Sequence, residues 1–154
     1  MESFLDNLPT LLAVTGIVLS IALAGIGSAK GGAMISKAAA ALMSEQPEKF
    51  GQSLILFMMS ASQGLYGFIV GFLIFGKLGG DELTLGVALR CLGAGATMGI
   101  AGLFTAIHQS VAATAGFQIL AKKPEHNTKG ILYSAMIETY AIFAFVISVL
   151  IVLF

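Results

Sequence analysis

Apolar residues run almost unbroken through four stretches, 9–44, 51–78, 83–121 and 127–154, and polar residues collect between them. Each stretch is long enough to cross ~30 Å of hydrocarbon as a helix rising about 1.5 Å per residue. The runs are continuous, so they lack the one-in-two alternation of a membrane β-barrel strand. The pattern predicts an all-α membrane protein with four transmembrane helices. The first and third stretches exceed what a bilayer needs. Their ends near Lys30–Lys37 and Gln109–Ala121 are expected to reach toward or past the interface.

Composition strengthens this reading. Of 154 residues, 57% are hydrophobic and 10% are charged, against about 25% charged in a typical soluble domain. A soluble fold of this size has too little interior to hide that much apolar surface, which excludes a soluble enzyme. Eight basic residues balance eight acidic ones, leaving no basic face for nucleic acid. Cys91 stands alone, so an internal disulfide and a cysteine-based zinc site are excluded. Nineteen glycines with no tryptophan point to helices that approach closely. Gly27 with Gly31, Gly67 with Gly71, and Gly95 with Gly99 form the small-xxx-small pairs that allow it. The run GIGSAKG has the look of a phosphate loop, but no strand precedes it and it lies inside a helix. The N-terminal MESFLDNLPT lacks a basic residue, so a cleaved secretory signal is not expected.

Charge orients the helices. Placing the turns 45–50 and 122–129 on one side gathers Lys30, Lys37, Lys49, Lys122, Lys123 and Lys129 there, and leaves Lys77 and Arg90 on the other. The positive-inside rule puts the lysine-rich side in the cytoplasm and both termini outside.

The chain also repeats itself. Gly16, Ala24, Gly25, Ala29, Ala38, Pro47 and Glu48 recur 77 residues later as Gly93, Ala101, Gly102, Ala106, Ala115, Pro124 and Glu125, with Ser28 matched by Thr105 and Leu42 by Ile119. Residues 1–80 and 81–154 are therefore read as two helical hairpins in tandem. Both run the same way, unlike the inverted repeats of many secondary transporters. The second helix of each half aligns only after a two-residue shift, which sets Gln63 opposite Glu138.

Seven acids lie near predicted ends or turns: Glu2, Asp6, Glu45, Glu48, Asp81, Glu82 and Glu125. Glu138 alone sits deep in an apolar run. A carboxylate there costs at least about 2.5–3.5 kcal/mol and is by default a functional candidate, the bland alternative being a protonated, hydrogen-bonded side chain. Met59, Ser62, Gln63 and Tyr66 share one helical face at i, i+3, i+4 and i+7. Gln109 lies on the third helix where the first has Gly32. Gln63, Gln109 and Glu138 all fall ~20 Å along a helix from the lysine-rich turns, so one layer can hold them. A carboxylate, two amides, a hydroxyl and nearby carbonyls form a set of hard oxygen donors suited to a dehydrated cation such as Na⁺. Singly, each amide is equally well read as interhelical glue.

GIGSAKG, AAAAL…QPEKFGQ, QGLYGFIV, QILAKKPEH and ETYAIFAFVIS, with the duplicated hairpin and the acid of the last helix, resemble the proteolipid (c or K) subunits of V-type rotary ATPases, most of all the bacterial sodium-translocating type. The resemblance covers nearly the whole chain. It implies a homo-oligomeric rotor ring that turns in the bacterial cell membrane against a stator subunit and meets a central stalk. It implies no catalysis in this subunit, ATP hydrolysis belonging to partner subunits. It makes Glu138 the ion-carrying carboxylate, with Gln63, Gln109, Ser62 and the Met59 main-chain carbonyl as Na⁺ ligands and Tyr66 hydrogen-bonded to the acid. Ser62 stands where the family often has Thr, and Met59 where it often has Leu; both changes keep the oxygen.

The same ring carrying H⁺ is the alternative. A self-contained four-helix transporter or channel and a structural junction protein are the other classes open to this pattern. His108 reads as an interface residue, Arg90 as a snorkelling charge, and Lys30 and Lys37 as surface charges.

Overall fold

The computed structural model describes residues 2–79 and 83–154. Asp81, Glu82 and the 80/81 boundary between the proposed hairpins lie outside the described residues. Helix α1 spans Glu2–Glu45 and ends at a 3-10 turn, Pro47–Lys49. Helix α2 (Phe50–Met58) is followed by a second 3-10 turn, Met59–Ala61, and by α3 (Ser62–Phe75). Helix α4 covers Leu85–Lys122, a third 3-10 turn covers Pro124–His126, and α5 covers Asn127–Leu153. Among the described residues four spans are long and apolar enough to cross a membrane: Leu5–Glu45, Pro47–Phe75, Leu85–Lys122 and Pro124–Leu153. These are the four expected stretches, with two differences. Helix α1 begins seven residues earlier, passing through Pro9. The second span is broken by the Met59–Ala61 turn.

Local chemistry sets the ends. Thr84 caps α4, its hydroxyl accepting from the Val87 amide at 3.3 Å, as short hydroxyl side chains do at helix starts. Pro47 and Pro124 close α1 and α4 because a proline nitrogen cannot extend the helical hydrogen bonding. The Lys49 ammonium reaches across to the end of α4 and donates to the carbonyls of Leu120 and Ala121, 2.9 Å each. The Asn127 amide donates to the Gln52 carbonyl at 3.1 Å. These bonds hold the two proline turns side by side at one end of the bundle. Arg90, at the opposite end, donates to the Phe154 carbonyl.

Helices α1 and α4 run parallel at backbone contact. A Cβ on Gly95 would stand 2.0 Å from the Gly16 carbonyl oxygen, and one on Gly99 2.3 Å from that of Leu19. Only glycine permits this approach. Helix α3 rests on α1, where Gly67 accepts from Ser20 Oγ at 2.8 Å. Helix α5 rests on α4, with Gly130 against Gly116.

Two apolar clusters form the core. One holds Ala13, Val70, Ile74, Cys91, Ala94, Met98 and Val152; the other, nearer the proline turns, holds Ile35, Leu42, Leu56, Ala113, Phe117 and Leu120. Outside, Phe68, Phe72, Tyr140 and Phe143 stand exposed. Such an exterior suits lipid or further helices rather than water.

Candidate ion site

Between the two clusters lies a polar layer built from α3, α4 and α5. Gln63 and Gln109 are fully buried, and Glu138 is half-buried. Gln109 Nε2 donates to Glu138 Oε2 at 3.2 Å, and the Tyr66 hydroxyl donates to Glu138 Oε1 at 2.9 Å. Gln63 Nε2 donates to Gln109 Oε1. Ser62 Oγ lies 3.3 Å from Gln63 Oε1 and 3.2 Å from the Met59 carbonyl oxygen. All six residues singled out in the sequence therefore meet in one network, which ends on a single carboxylate. A groove of about 240 Å³ lined by Ile55, Met58, Met59, Ser62 and Glu138 opens beside it.

The backbone explains how the second span presents these groups. The 3-10 turn Met59–Ala61 interrupts the i→i−4 ladder immediately before Ser62. Mid-helix 3-10 turns often mark functional positions. Near the break the Gly64 amide donates to Ser28 Oγ on α1, 2.8 Å away, so a group at the start of α3 finds its partner on another helix. The stretch from proline turn to site differs by two residues between the halves. In the first half that stretch contains the break; in the second, α5 is continuous from Asn127.

Ser134 was not anticipated. It lies one turn before Glu138, is buried, and donates to the Gln109 main-chain carbonyl at 3.2 Å, tying α5 to α4 beside the carboxylate. Its spacing of four from Glu138 was the available signal. His108 is turned away: its ring nitrogen Nδ1 lies 2.7 Å from the Phe104 carbonyl on an exposed face, consistent with its reading as an interface residue.

The layer can hold a small cation or a proton. The Gln109 amide nitrogen and the Tyr66 hydroxyl hold the carboxylate in place, and the Gln63, Ser62 and Met59 oxygens lie further along the same network.

Known proteins agree on where the chain belongs. The profile of the ATP synthase C subunit matches twice, over residues 15–74 and 92–151, again 77 residues apart. V-type sodium ATPase subunit K of Enterococcus hirae is 55% identical over 141 residues, 92% of this chain and 90% of that protein. A-type ATP synthase subunit K of Methanocaldococcus jannaschii is 32% identical over 142 residues, 92% of this chain and 62% of that protein. The V-type proton ATPase 16 kDa proteolipid subunit of Entamoeba dispar is 27% identical over 135 residues, 88% of this chain and 77% of that protein. With its four apolar spans, the chain is an integral, multi-pass membrane protein.

Proposed function

Because the chain belongs to the ATP synthase C subunit family, we propose that it is a rotor-ring subunit of a V-type ATPase that carries Na⁺ on Glu138, one ion per chain. It performs no catalysis; ATP hydrolysis belongs to partner subunits.

The observation that carries this reading is the polar layer. A proton requires the carboxyl group and one acceptor. Here Gln109 bonds to Glu138 and Gln63 to Gln109, while Met59 and Ser62 share a groove with the acid; rotated toward an ion, their neutral oxygens are enough to replace the water around it. Gln63, Gln109, Ser62 and Met59 are the ligands that join Glu138, and Tyr66 fixes the carboxylate. The relative named for sodium shares 55% identity, whereas the Entamoeba dispar relative named for protons shares 27%. Both facts favour Na⁺ as cargo over H⁺.

Copies of the chain form the ring, with α1 and α4 toward the axis and α2, α3 and α5 outward. The glycine-mediated contact of α1 with α4 supports the crowded inner layer. A membrane stator subunit and a central stalk are the remaining partners, and lipid covers the outer aromatic face. The proline turns lie in the cytoplasm, which follows from the six lysines at that end; both termini face out. The setting is a bacterial cell membrane.

The test is binding of radioactive sodium to the purified ring. Saturable uptake of one ion per chain, lost in Glu138→Gln, is the expected result. Uptake that survives the substitution would place the site elsewhere.

A further inference from the structure

The two hairpins repeat each other, yet only the first breaks its second span. The Met59–Ala61 turn interrupts the path from Pro47 to Phe75, whereas α5 runs unbroken from Asn127. In a regular helix the Gly64 amide would donate to the Ser60 carbonyl, four residues back. It donates instead to Ser28 Oγ on α1, at 2.8 Å. Ser60, in the middle of the turn, is buried against the same helix: a Cβ on Gly31 would stand 3.1 Å from the Ser60 Cβ. The break is therefore seated on α1 by a hydrogen bond and by a close glycine contact.

The second hairpin differs at each of these supports. Ser28 is repeated as Thr105, whose hydroxyl donates to the Ala101 carbonyl of its own helix at 2.7 Å. Gly31 and Gly32 are repeated as His108 and Gln109, which carry side chains where the first half has none. Gly64 aligns with Thr139 in the shifted register that sets Gln63 opposite Glu138. A Cβ on Gly64 would crowd Ser28 Oγ at 3.1 Å, so glycine leaves room for the bond to α1. The hairpin that has the serine and the glycines has the break, and the hairpin without them has a continuous helix.

The turn matters for what it does to Met59 and Ser62. Side chains at i and i+3 eclipse in a 3-10 turn, whereas an α-helix sets them about 60° apart. Met59 and Ser62 are three apart, both line the groove beside Glu138, and the Ser62 hydroxyl lies 3.2 Å from the Met59 carbonyl oxygen. Resting on the Na⁺ reading above, we propose that Ser28 is a positioning residue of the ion site. By accepting the Gly64 amide it holds the turn in place and keeps the Met59 carbonyl and the Ser62 hydroxyl on the side of Glu138. Ser28 acts through the backbone and contributes no ligand. The carboxylate itself is held by Tyr66, beyond the turn on α3, and by Gln109 on α4. Loss of the Ser28 hydroxyl therefore weakens sodium binding and spares the proton.

Carbodiimide labelling of Glu138 in the purified ring tests this. Ser28→Ala should raise the sodium concentration for half-protection by roughly tenfold, as expected for one lost ligating group, while labelling without sodium keeps its rate and pH profile. Ser28→Cys, close in size but a weak acceptor, should do the same, so the result does not rest on the folding of one variant. Ser28→Thr keeps the hydroxyl and should restore protection. Thr105→Ala, the same deletion in the second hairpin, should change neither measurement. In solid-state NMR the Met59 carbonyl carbon should shift on sodium addition in the unmodified ring and not in Ser28→Ala. Unchanged half-protection in both Ser28→Ala and Ser28→Cys, or an undiminished Met59 shift, overturns the proposal. A threonine variant as weak as the alanine one, or an equal loss of labelling without sodium, overturns it too, since either result assigns Ser28 to packing alone. Absence of sodium protection in the unmodified ring overturns the Na⁺ reading itself.

Discussion

The Tyr66 hydroxyl lies 2.9 Å from Glu138 Oε1, joining two residues 72 positions apart and on different hairpins. The ring of Tyr66 also stacks on Phe145, with centroids 5.0 Å apart, so the phenol is held from both sides. A hydrogen bond to a charged group is worth about 1.5–3 kcal/mol. Tyr66→Phe keeps the stacked ring and loses only the hydroxyl. Its expected effect is a weakening of Na⁺ binding by roughly tenfold or more, read by sodium titration of the purified ring, with the ring's thermal stability nearly unchanged.

The glycines of the helix seam carry a different kind of prediction. A Cβ on Gly95 would overlap the Gly16 backbone at 2.0 Å, whereas one on Gly51 meets nothing within 4 Å. Gly95→Ala must push α1 and α4 apart, at a cost of about 1–3 kcal/mol from overpacking. Gly51→Ala lies near the start of α2 in open space and should stabilise the chain by up to about 1 kcal/mol. Thermal unfolding in detergent should therefore move in opposite directions for the two variants.

Much of this arrangement was legible in the sequence because a membrane makes polar residues conspicuous. Glu138, Gln63 and Gln109 stand out in apolar runs, and their equal distance from two proline turns is enough to place them in one layer. The helices were equally plain, since hydrocarbon leaves few alternatives for a long apolar segment. What escaped depended on backbone detail and on contacts distant in the chain. The 3-10 turn at Met59–Ala61 contains neither proline nor glycine, so no residue type announced it. Ser134 was one hydroxyl among several until its bond to the Gln109 carbonyl singled it out. Lys49 serves in the sequence only to orient the helices, because its partners lie 71 and 72 residues away.

Glu138→Gln separates carrying an ion from building the ring. The amide preserves the shape of the side chain, can still accept from Tyr66, and removes the one charge of the layer. Ion transport by membranes containing the assembled complex should fall to background, while native gels should show rings in normal yield. Transport at more than a tenth of the wild-type rate would mean that the carrying group is another residue.

The identity of the ion can be read from competition at the same carboxylate. A hydrophobic carbodiimide attacks a protonated carboxyl group exposed to lipid, and Glu138 is half-buried beside an open groove. Na⁺ and H⁺ exclude one another there, so each lowers the other's apparent affinity. Sodium should therefore protect Glu138 from labelling. The concentration needed for half-protection should fall as pH rises, because fewer protons compete. Gln63→Ala or Gln109→Ala removes a neutral oxygen that replaces water around the metal ion but leaves the carboxyl group able to bind a proton. Each should raise the sodium concentration for half-protection by roughly tenfold, in line with the loss of about 1.4 kcal/mol or more for a hydrogen-bonding or ligating group. Labelling without sodium should persist. Potassium should protect poorly, since a compact cage of protein oxygens suits the smaller ion. Labelling indifferent to sodium across the pH range would make the ring a proton carrier, with Gln63 and Gln109 serving only to join α3 to α4 and to Glu138.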